Sequence, residues 1–461
     1  MVRFMGFLTN LLRAMQSRRG GDMQFLCHRL LSERGEASQT AVAQEIINSY
    51  RAMGPAQRPS FFEMLCREFS PDAAGILRAS AEYQKNPGTK TLAALSAAVE
   101  APRQELIRRI NTAPGGTETL VALRGDLLDV SRNGNAGAFE PLDADLRHLF
   151  RSWFNRGFLR LERISWQTSA LILEKLIRYE SVHEINGWAD LRRRLEADRR
   201  CFAFFHPALA SEPIIFVEVA LSSGILGELE PLLDPHAPVS DPSRADTAIF
   251  YSINNCLKGL RNVPFGNFLI KQVVAELAAE FPNIKIYSTL SPMPRFAQAL
   301  ADTEDKDGIT HERLVRLLED FAPSLTSATG KRDPAEAFLR LLGRSRERLP
   351  SGALRRALVA PLERVALAYL THARLPAGAG KAGKLYDPVA TFHLSNGARI
   401  ERINAFGNLR PYGIEESFGV TVNYRYVPDD LEENHERFVR GQIEVSRGLH
   451  RELEAVSAAW Q

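Results

Sequence analysis

The chain has 461 residues, 45% hydrophobic and 25% charged, a length that suits two or three domains and a composition that excludes a disordered or fibrous protein. Lys plus Arg number 58 against 55 Asp plus Glu, and a net charge of +3 spread over this length argues against a nucleic-acid-binding surface while leaving room for a smaller anionic ligand. The sequence contains no apolar run long enough to span a membrane, and Cys27, Cys66, Cys201 and Cys256 form no C-x-x-C pair, so a reducing compartment and a cytoplasmic location are expected.

Met1 to Gly21 carries Arg3, Arg13, Arg18 and Arg19 without an acid, among apolar Phe4, Phe7, Leu8, Leu11 and Leu12. It reads as a local amphipathic helix, with a processed presequence as the competing reading. Thr40 to Ser49, Ala73 to Tyr83, Thr91 to Ile110, Glu118 to Leu128 and Leu142 to Glu162 place apolar residues at threes and fours, which predicts an all-helical region. Asn133 to Gly137 reads as a turn. Nothing in this region groups residues in a chemically suggestive way, so packing or oligomerisation is its expected role.

Helices are predicted for Ala170 to Tyr179 and Trp188 to Arg200, after which the pattern changes. Cys201 to His206 and Ile214 to Leu221 are β-branched and aromatic runs around a Pro-containing turn, and Thr247 to Ile253 is a further strand. A polar loop to Val263, a helix from about Phe265 to Phe281 and a strand from Ile284 to Thr289 complete a βαβ-like unit. Beyond an acidic loop, helices are predicted at Arg313 to Leu341 and Leu354 to Leu370. Strands follow at Val389 to Ser395, Ala398 to Phe406 and Phe418 to Val427, then a helix from Leu431 to Leu453. The expected fold class is α+β.

Several motifs fail on context. Gly378-x-Gly380-x-x-Gly383 lies between a helix and a strand, the reverse of what a dinucleotide or Walker loop requires, and Leu385 stands where Walker A needs Ser or Thr. His183-Glu184, His311-Glu312 and His435-Glu436 lack a second histidine four residues on, and no metal site is expected. Three segments remain. In Tyr287-Ser-Thr-Leu-Ser-Pro-Met-Pro294 a strand runs into Ser291, held extended by the next proline. In Phe392 to Ala398, alternation would put His393 and Ser395 on one strand face, with Asn396-Gly397 as a hairpin turn. In Val420 to Tyr426, Tyr424 and Tyr426 share a face with Val422 while Asn423 and Arg425 point the other way. Pattern alone leaves structural and catalytic roles open for each.

These segments, together with Gly259 to Lys271 and the order in which they occur, closely resemble the malonyl-CoA decarboxylase family, most strongly from Trp166 to Tyr426. The resemblance implies a helical domain over 1–165 involved in oligomerisation, giving a dimer or tetramer. It also implies a GNAT-like, acetyltransferase-like mixed-sheet catalytic domain with helical insertions over 166–461. The implied activity converts malonyl-CoA to acetyl-CoA and carbon dioxide. No separate cofactor is implied, because the coenzyme A moiety is part of the substrate. Ser291 and His393 fall on the family's catalytic serine and histidine, and Tyr426 on its supporting tyrosine. Lys258, Gly259, Val263, Gly266 and Asn267 fall on the coenzyme A loop. The family pattern has a glutamate where this chain has Pro264, so another carboxylate, Glu218 or Glu415, orients the imidazole, or none does.

The chemistry fits these residue types. Decarboxylation of a malonyl thioester leaves an enolate for which the thioester is its own electron sink, so no pyridoxal or biotin is needed. Ser291 is the expected donor to a substrate oxygen, and His393, with a reference pKa of ~6.5, the expected general acid. A coenzyme A-dependent N-acyltransferase and a noncatalytic acyl-CoA-binding regulator are the alternatives, separable by assay with and without an acceptor amine.

Overall fold

The computed structural model describes residues 23–132, 137–155, 157–263, 268–302, 308–347, 351–375 and 384–461. Met1 to Gly21, most of the Asn133 to Gly137 turn, Pro264, Gly266, Asn267 and the Gly378 to Gly383 loop lie outside these residues. The chain forms two compact units, one of Met1–Arg160, Phe204–Ile215 and Asn255–Gly266, the other of Leu161–Ala203, Phe216–Asn254 and Asn267–Gln461.

The first unit is helical, as expected. Pro102 opens a helix at Pro102–Thr112 and so splits the Thr91 to Ile110 run into two, because proline suits a first helical turn but not an interior. That helix buries Leu106, Ile107 and Ile110 at helical spacing, and Gly116–Arg132 buries Leu120, Leu123 and Leu127. The pair Ala73–Lys85 and Thr89–Val99 buries nothing, and leaves Leu77, Leu92 and Val99 exposed. The Leu142 to Glu162 helix ends at Trp153, and Arg160–Ile164 is a strand instead.

Among the described residues eight strands form one sheet: β1 (Arg160–Ile164), β2 (Arg199–Phe205), β3 (Pro213–Ser222), β4 (Thr247–Asn255), β5 (Ile286–Thr289), β6 (Ser291–Pro292), β7 (Arg399–Asn404) and β8 (Thr421–Tyr426). Their order is β1-β2-β3-β4-β5-β8-β6, with β7 also on β8. β4 and β5 are parallel, from Thr247 opposite Ile286 to Phe250 opposite Thr289, whereas β5, β6 and β7 all run antiparallel to β8. The mixed sheet with helical insertions agrees with the α+β class anticipated. Three features of it place the site. The β4–β5 pairing stops at Phe250, after which the Leu290 amide makes one last bond to the Phe250 carbonyl and β4 runs on past β5 to Asn255, with β3 on its other side. β8 pairs first with β5, at Tyr426 and Arg425, and then with β6, at Val422 and Thr421, leaving a break opposite Asn423 and Tyr424. The long insertion between β6 and β7 ends in the helix Pro388–Ser395.

Candidate active site

Ser291 begins the short β6, with Pro292 fixing the extended backbone anticipated for it. Its Oγ lies 3.0 Å from His393 Nε2 and donates to Thr289 Oγ1 at 2.8 Å. His393 Nδ1 in turn meets the Tyr426 hydroxyl at 2.7 Å. Ser291, His393 and Tyr426 are thus brought together as anticipated, all three buried, at the point where β4 and β5 part.

His393 does not lie on a strand. Residues 388–395 are helical, because Asp387 accepts from the Val389 and Ala390 amides at 2.9 and 2.8 Å and Pro388 occupies the first helical turn. These start signals outweigh the two-residue alternation of Phe392 and Leu394. Ala390, His393 and Leu394 form the buried face at threes and fours, while Ser395 is only half-buried and does not share His393's face. Asn396-Gly397 ends this helix rather than turning a hairpin. Gly397 has φ +81°, and a Cβ there would meet the Leu431 carbonyl at 2.1 Å, so only glycine fits.

The imidazole stacks on Tyr424, with ring centroids 4.7 Å apart and planes 23° from parallel, and Tyr426 meets it edge-on. Burial pushes His393 down to about 3, so it is neutral at physiological pH. Burial also raises Tyr426 and Tyr424 well above 10. Burial therefore leaves His393 well below the ordinary imidazole value near 6.5. Among the described residues no carboxylate hydrogen-bonds the ring, which leaves the alternative that none orients it. Glu218 is held by Arg194 at 2.9 Å, Glu415 is exposed, and the phenol of Tyr426 occupies Nδ1. The carboxyl that does bear on this region is Asp387, a fully buried helix cap that also accepts from the Tyr369 hydroxyl at 3.0 Å. Desolvation raises it to about 6 against the pull of those hydrogen bonds.

Sequence reasoning missed Thr289, Asn423 and Asp387. Asp387-Pro388 was a readable helix start. Thr289 and Asn423 were not readable, since their roles come from the break in the β8 ladder. There the Tyr424 amide donates to Thr289 Oγ1 at 3.0 Å, and Asn423 Nδ2 donates to the Thr289 carbonyl at 2.6 Å.

Of the loop residues assigned to coenzyme A, Lys258, Gly259 and Val263 belong to the helical unit. Lys258 pairs with Asp129, and a Cβ on Gly259 would meet the Val121 carbonyl at 1.8 Å, so helix packing already accounts for the glycine. Arg124 fastens this loop through the Gly259 and Arg261 carbonyls at 2.6 and 2.8 Å, and Val263 is buried.

A buried serine, imidazole and phenol linked by hydrogen bonds beside a mixed sheet are the side-chain set of an enzyme site. Family models place it more closely: the malonyl-CoA decarboxylase C-terminal domain matches residues 157–461 and the N-terminal domain of the same family matches 69–154. The mitochondrial malonyl-CoA decarboxylase of Anser anser anser is 33% identical over 403 residues, covering 85% of this chain and 78% of that protein. That of Rattus norvegicus is 31% identical over 417 residues, covering 88% and 83%. The crystal structure of malonyl-CoA decarboxylase from Rhodopseudomonas palustris superposes with a TM-score of 0.81 at 41% identity, covering 94% of this chain and 99% of that one. That from Agrobacterium vitis gives 0.79 at 40%, covering 95% and 100%. The chain belongs to the malonyl-CoA decarboxylase family, and it converts malonyl-CoA to acetyl-CoA and carbon dioxide. The expectation of a cytoplasmic location is corrected by the curated relatives, which are mitochondrial enzymes. A reducing thiol pattern does not distinguish the two compartments.

Proposed function

We propose that decarboxylation proceeds through the thioester enolate and that Tyr426, His393 and Ser291 manage its proton. The supporting observation is the unbroken buried chain from Tyr426 through His393 to Ser291 and Thr289. As the C–C bond breaks, charge grows on the thioester oxygen, and a placed donor there is worth roughly 3 kcal/mol. The Ser291 hydroxyl and the His393 Nε2–H are the donors of the pocket. A neutral imidazole gives up Nε2–H only as it gains a proton at Nδ1, and the Tyr426 hydroxyl stands at that nitrogen, so the proton reaching the α-carbon is relayed from Tyr426, and water entering as products leave returns one proton to Nε2 while Nδ1–H goes back to the phenolate. A covalent acyl-serine is not required.

Coenzyme A, in this reading, lies along β4 beyond Phe250, where the amide-rich pantetheine arm continues the ladder that β5 leaves. Gly266 and Asn267 are the residues of this reading that take the pyrophosphate. Lys258 and Gly259 fasten the base of that loop rather than touch the ligand. The helical unit serves assembly into a dimer or tetramer, with the apolar Ala73–Val99 hairpin as the contact.

The test uses malonyl-CoA in heavy water with no added amine. The expected products are carbon dioxide and acetyl-CoA carrying one deuterium in the methyl group, lost together in Ser291→Ala. Product formation by Ser291→Ala at the native rate would remove the serine from the mechanism.

A further inference from the structure

We propose that Thr289 is a positioning residue that turns the Ser291 hydroxyl away from the imidazole and so protects the thioester from hydrolysis. This rests on the reading that Ser291 and His393 face the acyl end of the substrate.

A neutral imidazole has one acceptor nitrogen. Two hydroxyls flank His393, Tyr426 at Nδ1 and Ser291 at Nε2. The phenol is the more acidic donor, and His393 is its one hydrogen-bond partner among the described residues. Ser291 has a second acceptor in Thr289 Oγ1. With the imidazole given to the phenol, the chain runs one way: Tyr426 O–H to Nδ1, Nε2–H to Ser291 Oγ, Ser291 O–H to Thr289. Thr289 holds this acceptor rigidly. It is fully buried, its Oγ1 also takes the Tyr424 amide, and its carbonyl takes Asn423 Nδ2. Its side chain supplies to Tyr424 the acceptor that the broken ladder between β5 and β6 does not.

The reverse direction would be hazardous. A serine that donates to an imidazole nitrogen is the arrangement of an activated nucleophile. Beside a thioester, Ser291 Oγ would bond to the carbonyl carbon as the C–S bond broke, the serine proton passing through Nε2 to the leaving sulfur. Water would then cleave the acyl-serine, releasing malonate or acetate and regenerating the hydroxyl. The product would be free coenzyme A. Directed at Thr289, the hydroxyl can turn to a substrate oxygen without first giving its proton to a base.

Wild type, Thr289→Val, Thr289→Ser, Ser291→Ala and Thr289→Val/Ser291→Ala are assayed with malonyl-CoA and with acetyl-CoA, following free thiol and acetyl-CoA separately. Thr289→Val is expected to raise the ratio of free coenzyme A to acetyl-CoA roughly tenfold, the scale of one lost hydrogen bond. Thr289→Ser should keep the wild-type ratio, and adding Ser291→Ala should abolish the extra thiol. Where valine packs badly, Thr289→Ala carries the same test. An unchanged ratio in the folded variant, with Ser291→Ala inactive, overturns this role for Thr289. A fully active Ser291→Ala overturns instead the reading of the site beneath it.

Discussion

The sheet unit contains two buried histidines built to nearly the same plan. His393 Nδ1 meets the Tyr426 hydroxyl at 2.7 Å, and His183 Nδ1 meets the Tyr412 hydroxyl at the same distance. Each ring stacks on a second tyrosine, Tyr424 at 4.7 Å and 23° or Tyr251 at 6.4 Å and 21°. In both cases that second hydroxyl is buried without a partner among the described residues. Burial pushes both imidazoles down to about 3, assisted at His183 by Arg194 and Arg410. The difference is at Nε2. At His393 it meets Ser291, and at His183 it is buried with no partner among the described residues. The hydroxyl at the far nitrogen, Ser291 donating on to Thr289, distinguishes the His393 arrangement from that of His183.

The sharpest way to break this comparison is to remove each ring in turn. His393→Ala is expected to lower turnover by roughly 10²–10⁴, the range of a lost proton-transfer group, while coenzyme A ester affinity stays within a few-fold. His183→Ala should cost stability and leave turnover of the folded enzyme within a few-fold. Carbon dioxide release and ligand titration, run beside chemical denaturation, separate the two effects.

The phenols give the next contrast. Tyr426→Phe should reduce kcat about tenfold or more with little change in KM, because Nδ1 loses the proton that replaces the one given up at Nε2. Tyr412→Phe should leave kcat alone and destabilise by about 1–3 kcal/mol, the cost of a buried nitrogen left without its partner. Steady-state kinetics set against urea midpoints provide the readout.

Acid should affect both histidines alike. Because their folded values lie below the ordinary 6.5, the unfolded chain binds protons first. Their contribution to stability is complete above about pH 6.5 and is lost as pH falls toward 3, by up to about 1.4 kcal/mol per pH unit for each ring. Asp387, raised to about 6, works the other way: its contribution is present below the ordinary carboxylate value of 3.8 and lost as pH rises through 6. Stability measured from pH 4 to 8 should therefore rise less steeply in His183→Gln than in the wild type.

The smallest effect belongs to the helix cap. Asp387→Asn should keep the cap and most activity, whereas Asp387→Ala should lose about 1–2 kcal/mol of stability and some turnover through a displaced His393. Equal behaviour of the two variants would show that the charge, not the cap, matters.

Much of this was legible in the chain. Ser291 before Pro292 was correctly extended, since proline restricts its neighbour whatever the fold. Tyr424 and Tyr426 fell on the imidazole side of β8 because strand alternation survives burial. His393 was found through family likeness and placed on the wrong element, because a short eight-residue helix with apolar residues on several sides imitates a strand. β1, with three charges in Arg160–Ile164, gave no strand signal. Thr289 stayed silent for a different reason: its partners Tyr424 and Asn423 are more than a hundred residues away, and only their pairing with a broken ladder gives the hydroxyl its task.

The central claim is that His393 works as a neutral ring, protonated at Nε2 and accepting from Tyr426 at Nδ1. Nitrogen-15 spectra of histidine-labelled enzyme, with the His393 signals assigned by difference against His393→Gln, test it directly. One protonated and one bare nitrogen are expected at His393, unchanged from pH 8 to pH 5. Two protonated nitrogens near neutrality, or a bare Nε2 beside Ser291, would contradict it.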